Sequence, residues 1–127
     1  MKIEKTTYLL ILGILFSQFS FGQDTCASAL NITTGLHVVT SVNGTDVPTP
    51  ICAANGAITH GSPAGEWYTY TPTQNYNLTI TTDIAQNTPR IDTRFHVYTG
   101  NCGTLVCYEG DDDSGANFSS VKTFPVI

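Results

Sequence analysis

The sequence predicts an all-β domain: an antiparallel β-sandwich held by two disulfides. Three observations predict it. Beyond Gly22 the chain is dominated by Thr, Val, Asn, Gly and Tyr, residues that favour strands and turns over helices. Short runs of alternating apolar and polar residues recur there, separated by Gly, Pro and Asn. All four cysteines fall in the same part, and an even set in a small exported domain reads as a disulfide framework.

The first 22 residues have a different character. Lys2 and Lys5 form a short basic start, and an apolar run follows from Tyr8 to Phe16. Ser20 and Gly22 are small residues placed for cleavage before Gln23. This is the layout of a secretory signal peptide. A membrane anchor would need about 20 predominantly apolar residues, and Ser17, Gln18 and Ser20 interrupt the run too early. Residues 23–127 are therefore expected to be one exported domain, secreted or held at the cell surface, with no membrane span once the leader is removed.

The elements follow in order. Ser28 to Thr33 is a weak first strand. Gly35 to Val42 is a second, with Leu36, Val38 and Thr40 on one face, and Asn43-Gly44 marks a turn after it. Val47 to Gly65, carrying Pro48, Pro50 and Pro63, reads as a loop pinned by Cys52. Glu66 to Thr71 is a strand that Pro72 ends. Tyr76 to Thr82 alternates cleanly, Leu78 and Ile80 against Thr79 and Thr81. Asp83 to Pro89 is a polar connection. Ile91 to Tyr98 is the next strand, Leu105 to Glu109 returns antiparallel, Asp111 to Asn117 is a loop, and Phe118 to Phe124 is a last strand. Trp67, the sole tryptophan, is expected to anchor the core between sheets, since a large aromatic in a strand buries its area; the functional alternative is stacking on a sugar or peptide.

Cys102 and Cys107 flank Gly103-Thr104-Leu105-Val106. A loop that short favours a local bridge, which leaves Cys26 to pair with Cys52. Zinc is a poor rival, because the cysteines form no C-x-x-C knuckle and no histidine sits beside them at ligand spacing.

Three strings carry a family resemblance: E-W-Y-T-Y-T-P, then I-D-T-R-F-H-V-Y-T-G-N-C-G-T-L-V-C-Y-E-G-D-D-D, then F-S-S-V-K-T-F-P-V. Together they resemble the bacterial pre-peptidase C-terminal (PPC-like) domains, in the form common in secreted proteins of the Bacteroidetes, over nearly the whole of residues 24–127. The resemblance implies a jelly-roll-like sandwich that sits beside a peptidase, another hydrolase or an adhesin and does no chemistry itself. It also implies a Gly-turn and two more strands after a string such as F-P-V, so the domain is expected to be incomplete beyond Ile127. An incomplete sheet exposes an edge, which invites pairing or aggregation.

Charge and motifs narrow the function. Residues 23–127 hold Arg90, Arg94 and Lys122 against nine acidic residues. That surface repels phosphate backbones and excludes nucleic acid as a partner. Catalysis is not expected. Gly61-Ser62-Pro63-Ala64-Gly65 matches a nucleophile elbow only as text, since proline follows the serine and no helix signal comes next. His37, His60 and His96 form no paired metal spacing.

Asp111, Asp112 and Asp113 in a Gly-flanked loop, with Asp92 approaching across the sheet, are candidate calcium ligands, because calcium takes carboxylate oxygens. The plainer alternative is a solvated acidic turn, with Asp92 bonding nearby backbone amides. Tyr68 and Tyr70 on one strand, and Tyr98 and Tyr108 on paired strands, are candidate binding aromatics; ordinary sheet packing is the alternative. The expected role is a non-catalytic accessory or adhesion module that binds extracellular protein or polysaccharide, or supports a covalently linked peptidase or adhesin domain. A ligand-free spacer, or the N-terminal fragment of a larger secreted peptidase or adhesin, is the alternative.

Overall fold

The computed structural model describes residues 23–45, 49–53 and 65–127. The expected leader lies outside the described residues, as do His60, Pro48, Pro63 and the Gly61–Gly65 string up to Ala64. The described chain is mostly strand and connection, with no α-helix.

A 3-10 turn at Cys26–Ser28 opens the fold. Thr25 and Ser28 cap it reciprocally: Ser28 N donates to Thr25 Oγ1 at 3.2 Å and Thr25 N donates to Ser28 Oγ at 3.1 Å. Each side chain satisfies a backbone donor that the turn leaves unpaired. Strand β1 (Leu30–Ile32) then pairs in parallel with β2 (Tyr68–Tyr70), placing Leu30 opposite Tyr68 and Ile32 opposite Tyr70. This pair departs from the purely antiparallel expectation.

Strand β3 (Tyr76–Thr81) pairs antiparallel with β6 (Val121–Val126). Here the alternation reads directly as burial. Leu78 and Ile80 turn inward while Thr79 and Thr81 are exposed, and Thr79 meets Thr123 across the ladder at 2.7 Å. Strand β4 (Phe95–Thr99) pairs antiparallel with β5 (Val106–Asp111) around the Cys102 turn. A bulge between Val97 and Tyr98 sets Val97 opposite Glu109 and Tyr98 opposite Cys107, leaving Tyr108 as the extra residue. The last strand starts later than expected. Asn117 and Phe118 have φ of 54° and 64°, a left-handed conformation that breaks the extended chain before Val121.

Two expectations are corrected. The stretch from Gly35 to Val42 alternates as a strand should, yet among the described residues it has no ladder partner. β1 pairs with β2 instead, and alternation alone does not make a sheet. The disulfides are also paired differently: Cys26 bonds Cys102, and Cys52 bonds Cys107. Antiparallel register explains this. Cys107 sits inside the ladder opposite Tyr98, whereas Cys102 lies in the turn beyond the last strand pair and faces the Cys26 turn. The observed bridges span 76 and 55 residues. By chain entropy each would stabilise by about 4 kcal/mol alone, and by less than the sum together because the loops overlap.

Within this fold the best-buried residues are polar. Phe124, 3% exposed, is the one buried apolar side chain among the described residues, beside Asp111, Asp112, Ser119 and Ser120. Ser120 N donates to Thr82 Oγ1 at 2.9 Å and to Thr93 Oγ1 at 3.1 Å. Its hydroxyl bonds the carbonyl oxygens of Thr93 and Asp112. This network ties β6 to the connections before β4 and after β5. Tyr108 packs edge-on against Phe124, ring centroids 5.8 Å apart, and Lys122 reaches Glu109 at 3.4 Å, so one face of the hairpin lies against β6. Trp67 is half-buried rather than sealed in a core. It stacks on Tyr98 at 5.9 Å and so joins the start of β2 to the hairpin.

Candidate functional site

Asp92, Asp112 and Asp113 come together where β5 ends and the chain approaches β4. Their carboxylate oxygens lie within 4.8 Å of one another. Asp92 and Asp113 are exposed and Asp112 is buried, so the cluster is a half-sunken notch with one wet side. Asp111 stands apart. Its carboxylate turns inward and accepts from Val121 N at 2.8 Å, Ser114 N at 3.1 Å and Ser114 Oγ at 2.5 Å. Those bonds fold the Asp111–Ser114 corner and start β6.

A cation is already present in the notch. Arg94 donates to Asp112 Oδ2 at 2.6 Å. That hydrogen bond holds the guanidinium above its ordinary pKa, burial opposing and the charge of Asp112 adding to it. Asp113 is raised as well, by different causes. Desolvation first, then the charges of Asp112 and Asp92, push its carboxyl above the usual range, with Arg94 acting against them. Three converging carboxylates beside one arginine can supply part of a calcium shell; the remaining oxygens of the 6–8 that calcium needs would have to be carbonyls and waters.

The four tyrosines address different neighbours. Tyr68 Oη accepts from Gln23 Nε2 at 2.7 Å. Tyr98 Oη donates to the Pro50 carbonyl at 2.7 Å, and burial pushes its phenol up to about 12. Tyr108 Oη donates to the Pro125 carbonyl at 2.7 Å. Tyr98 and Tyr108, expected to be close, address different neighbours: Tyr98 meets Trp67 and His96, Tyr108 meets Phe124. These three act as struts. Tyr70 differs, because it lines a shallow cleft of about 240 Å³ at the end of the β1–β2 pair with Asn31, Thr33, Thr34, Thr71 and Thr73. A larger cleft of about 340 Å³ lies by Tyr76 and Pro125 at the end of the β3–β6 pair. The Tyr70 cleft is the richer in hydroxyls: four threonines and one amide surround one aromatic ring.

His96 holds the opposite flank of the hairpin. Its Nδ1 accepts from Cys52 N at 3.0 Å and Ala53 N at 3.2 Å, which places the ring proton on Nε2. Gly110, its ladder partner, lets this segment close in: a Cβ there would sit 2.8 Å from Ala53 N. Sequence reasoning did not find Arg94 as the counter-ion, the Ser120–Thr82–Thr93 network or the threonines of the Tyr70 cleft. A signal for Arg94 exists, since D-T-R places Asp92 and Arg94 two residues apart and strand period carries both to one face. The threonines carry no comparable signal. Comparison with family models, curated proteins and solved structures found no match.

Proposed function

We propose that this chain is an exported, non-catalytic β-module that contacts an extracellular glycan or protein surface, with the Tyr70 cleft as its contact point. The observation that carries the reading is the difference among the tyrosines. Three spend their hydroxyls on internal struts, while Tyr70 lines an open cleft among threonines and an asparagine. An aromatic face beside hydroxyl and amide groups suits a sugar ring, whose apolar face stacks while its hydroxyls hydrogen-bond. Two disulfides suit an oxidising compartment. No helix among the described residues is long and apolar enough to cross a membrane. The PPC-like strings support an accessory place beside a hydrolase or adhesin.

The test is retention of the oxidised protein on insoluble polysaccharides and on extracellular-matrix protein. The reading expects retention that Tyr70→Ala weakens at least tenfold and Tyr68→Phe leaves intact. Equal retention of both variants, or none by any, would return the chain to a spacer.

The acidic notch supports calcium as a second ligand of the same module. Asp92, Asp112 and Asp113 converge within 4.8 Å and would hold the ion, with Asp111 folding the corner behind them. Calcium there would relieve the crowding of like charge and stiffen the loop after β5.

A further inference from the structure

The Asn43-Gly44 turn is built from a reactive pair of residues. An asparagine followed by glycine is open to attack on its own side chain, because glycine has no Cβ to crowd the approach of its amide nitrogen. In that reaction the Gly44 nitrogen gives its proton to water or hydroxide and bonds Asn43 Cγ. The Cγ–Nδ2 bond breaks, and ammonia leaves with a proton that solvent returns. Water then opens the succinimide to aspartate or to isoaspartate. Asn43 is exposed to that water. Its carboxamide is also primed, since Ser41 Oγ donates to Asn43 Oδ1 at 2.9 Å, the atom on which negative charge develops.

The nucleophile, by contrast, is held. Glu66 Oε1 accepts from Gly44 N at 3.1 Å and from Asn43 N at 2.9 Å. A proton leaves Gly44 N only against that charge-assisted hydrogen bond, and the anion left behind faces the carboxylate at close range. The neighbouring backbone is fixed as well. Thr45 N donates to the Asp24 carbonyl at 2.8 Å, and Trp67 N donates to the Gln23 carbonyl at 2.8 Å. Gly44 itself is buried. A Cβ there would collide with the Gly65 carbonyl oxygen and stand 2.7 Å from the Asp24 carbonyl oxygen. Ring closure needs the Asn43–Gly44 peptide to turn, and turning it breaks the Glu66 clasp.

We infer that Asn43-Gly44 is a guarded deamidation site, with Glu66 as the positioning residue whose carboxylate suppresses succinimide closure. The product does not fit the turn. Isoaspartate adds a methylene to the main chain beside Gly44, where close packing leaves no space. Either product also sets a new carboxylate near Glu66. The site therefore reacts once and in one direction, and its reaction loosens the junction of Gln23-Asp24, Thr45 and Trp67.

Peptide mapping by mass spectrometry of the oxidised chain, held in mildly alkaline buffer, tests this. Conversion of Asn43 is read as a gain of one mass unit and as an isoaspartyl product. Mapping separates it from Asn55-Gly56, which lies outside the described residues. In the folded wild type Asn43 should convert at least tenfold more slowly than in the reduced, urea-unfolded chain. Glu66→Ala should remove most of that difference. Glu66→Gln, which keeps an acceptor oxygen and loses the charge, should fall between. Ser120→Val is destabilised elsewhere and keeps the clasp, so its Asn43 should convert at the wild-type rate. Circular dichroism keeps unfolded variants out of the comparison. If Glu66→Ala does not fold, Glu66→Gln decides, and a rate equal to wild type counts against the clasp. Equal rates in the folded and unfolded wild type would overturn the inference. So would a Glu66→Ala rate equal to wild type, or a Ser120→Val rate equal to that of Glu66→Ala.

Discussion

Tyr98 and Cys107 stand opposite each other in the β4–β5 hairpin, and both reach the same carbonyl oxygen, that of Pro50: the phenol at 2.7 Å and the sulfur at 3.8 Å. One rung of the hairpin thus grips the Thr49–Ala53 segment by a hydrogen bond and by the Cys52–Cys107 bridge together. His96, two residues earlier on the same face, holds the next backbone amides of that segment.

Tyr98→Phe removes the hydrogen bond and keeps the ring. A single hydrogen bond contributes about 1 kcal/mol net, so thermal melting under oxidising conditions should fall by several degrees. Trp67 stacking, read by near-ultraviolet circular dichroism, should persist.

The same residue predicts an alkaline limit. Burial raises the Tyr98 phenol to about 12, against about 10 for a free tyrosine. A folded value above the unfolded one gives stability that is whole below pH 10 and is lost as pH rises through 12. Ultraviolet titration should show a phenol that ionises near pH 12 in the wild type and is missing in Tyr98→Phe.

Cys52→Ala with Cys107→Ala deletes the bridge over the gripped segment. The expected cost is about 2–5 kcal/mol, far above that of Tyr98→Phe. Urea unfolding should place the double variant well below both the wild type and Tyr98→Phe.

Ser120 is fully buried, with its backbone and hydroxyl bonded to Thr82, Thr93 and Asp112. Ser120→Val leaves buried acceptors unmet, at about 1–3 kcal/mol. Ser120→Thr, which keeps the hydroxyl but adds a methyl group in a sealed place, should cost less than Ser120→Val if hydrogen bonding dominates over volume. Urea unfolding of both variants separates the two contributions.

The acidic notch makes a pH prediction. Asp113 is raised in the folded state by desolvation and by Asp112 and Asp92. The folded form then binds a proton more readily than the unfolded form. Its favourable contribution is present below the ordinary aspartate value and disappears as pH climbs through the folded one. Asp113→Asn should therefore raise the melting midpoint at pH 7 and flatten its dependence on acid. Millimolar calcium should raise the wild-type midpoint by mass action, and raise it further in Arg94→Ala, where the resident counter-ion is gone. No shift at 10 mM calcium in either protein would remove the ion from the account.

What was legible in the sequence was local. The β3 alternation, the hairpin around Cys102 and the all-strand character followed from period and turn residues; the fold brings Asp92 beside Asp112 and Asp113 and turns Asp111 away. What was not legible depended on register and long-range closure. The bulge at Val97 decides where Cys107 points, and no spacing rule encodes it. The stretch at 36–42 has the pattern of a strand, but pairing is a property of two segments, and only one is visible in a local reading. Asp111 and Asp112 look alike in the sequence; the Val121 amide behind one and the Arg94 side chain beside the other give them different work.

Two long-range sulfur bridges clamp the β4–β5 hairpin to the Cys26 turn and to the Cys52 segment. Non-reducing peptide mapping by mass spectrometry of the oxidised protein tests this clamp most directly. Peptides linking Cys26 to Cys102 and Cys52 to Cys107 are expected. Fragments joining Cys102 to Cys107, or four free thiols, would contradict it.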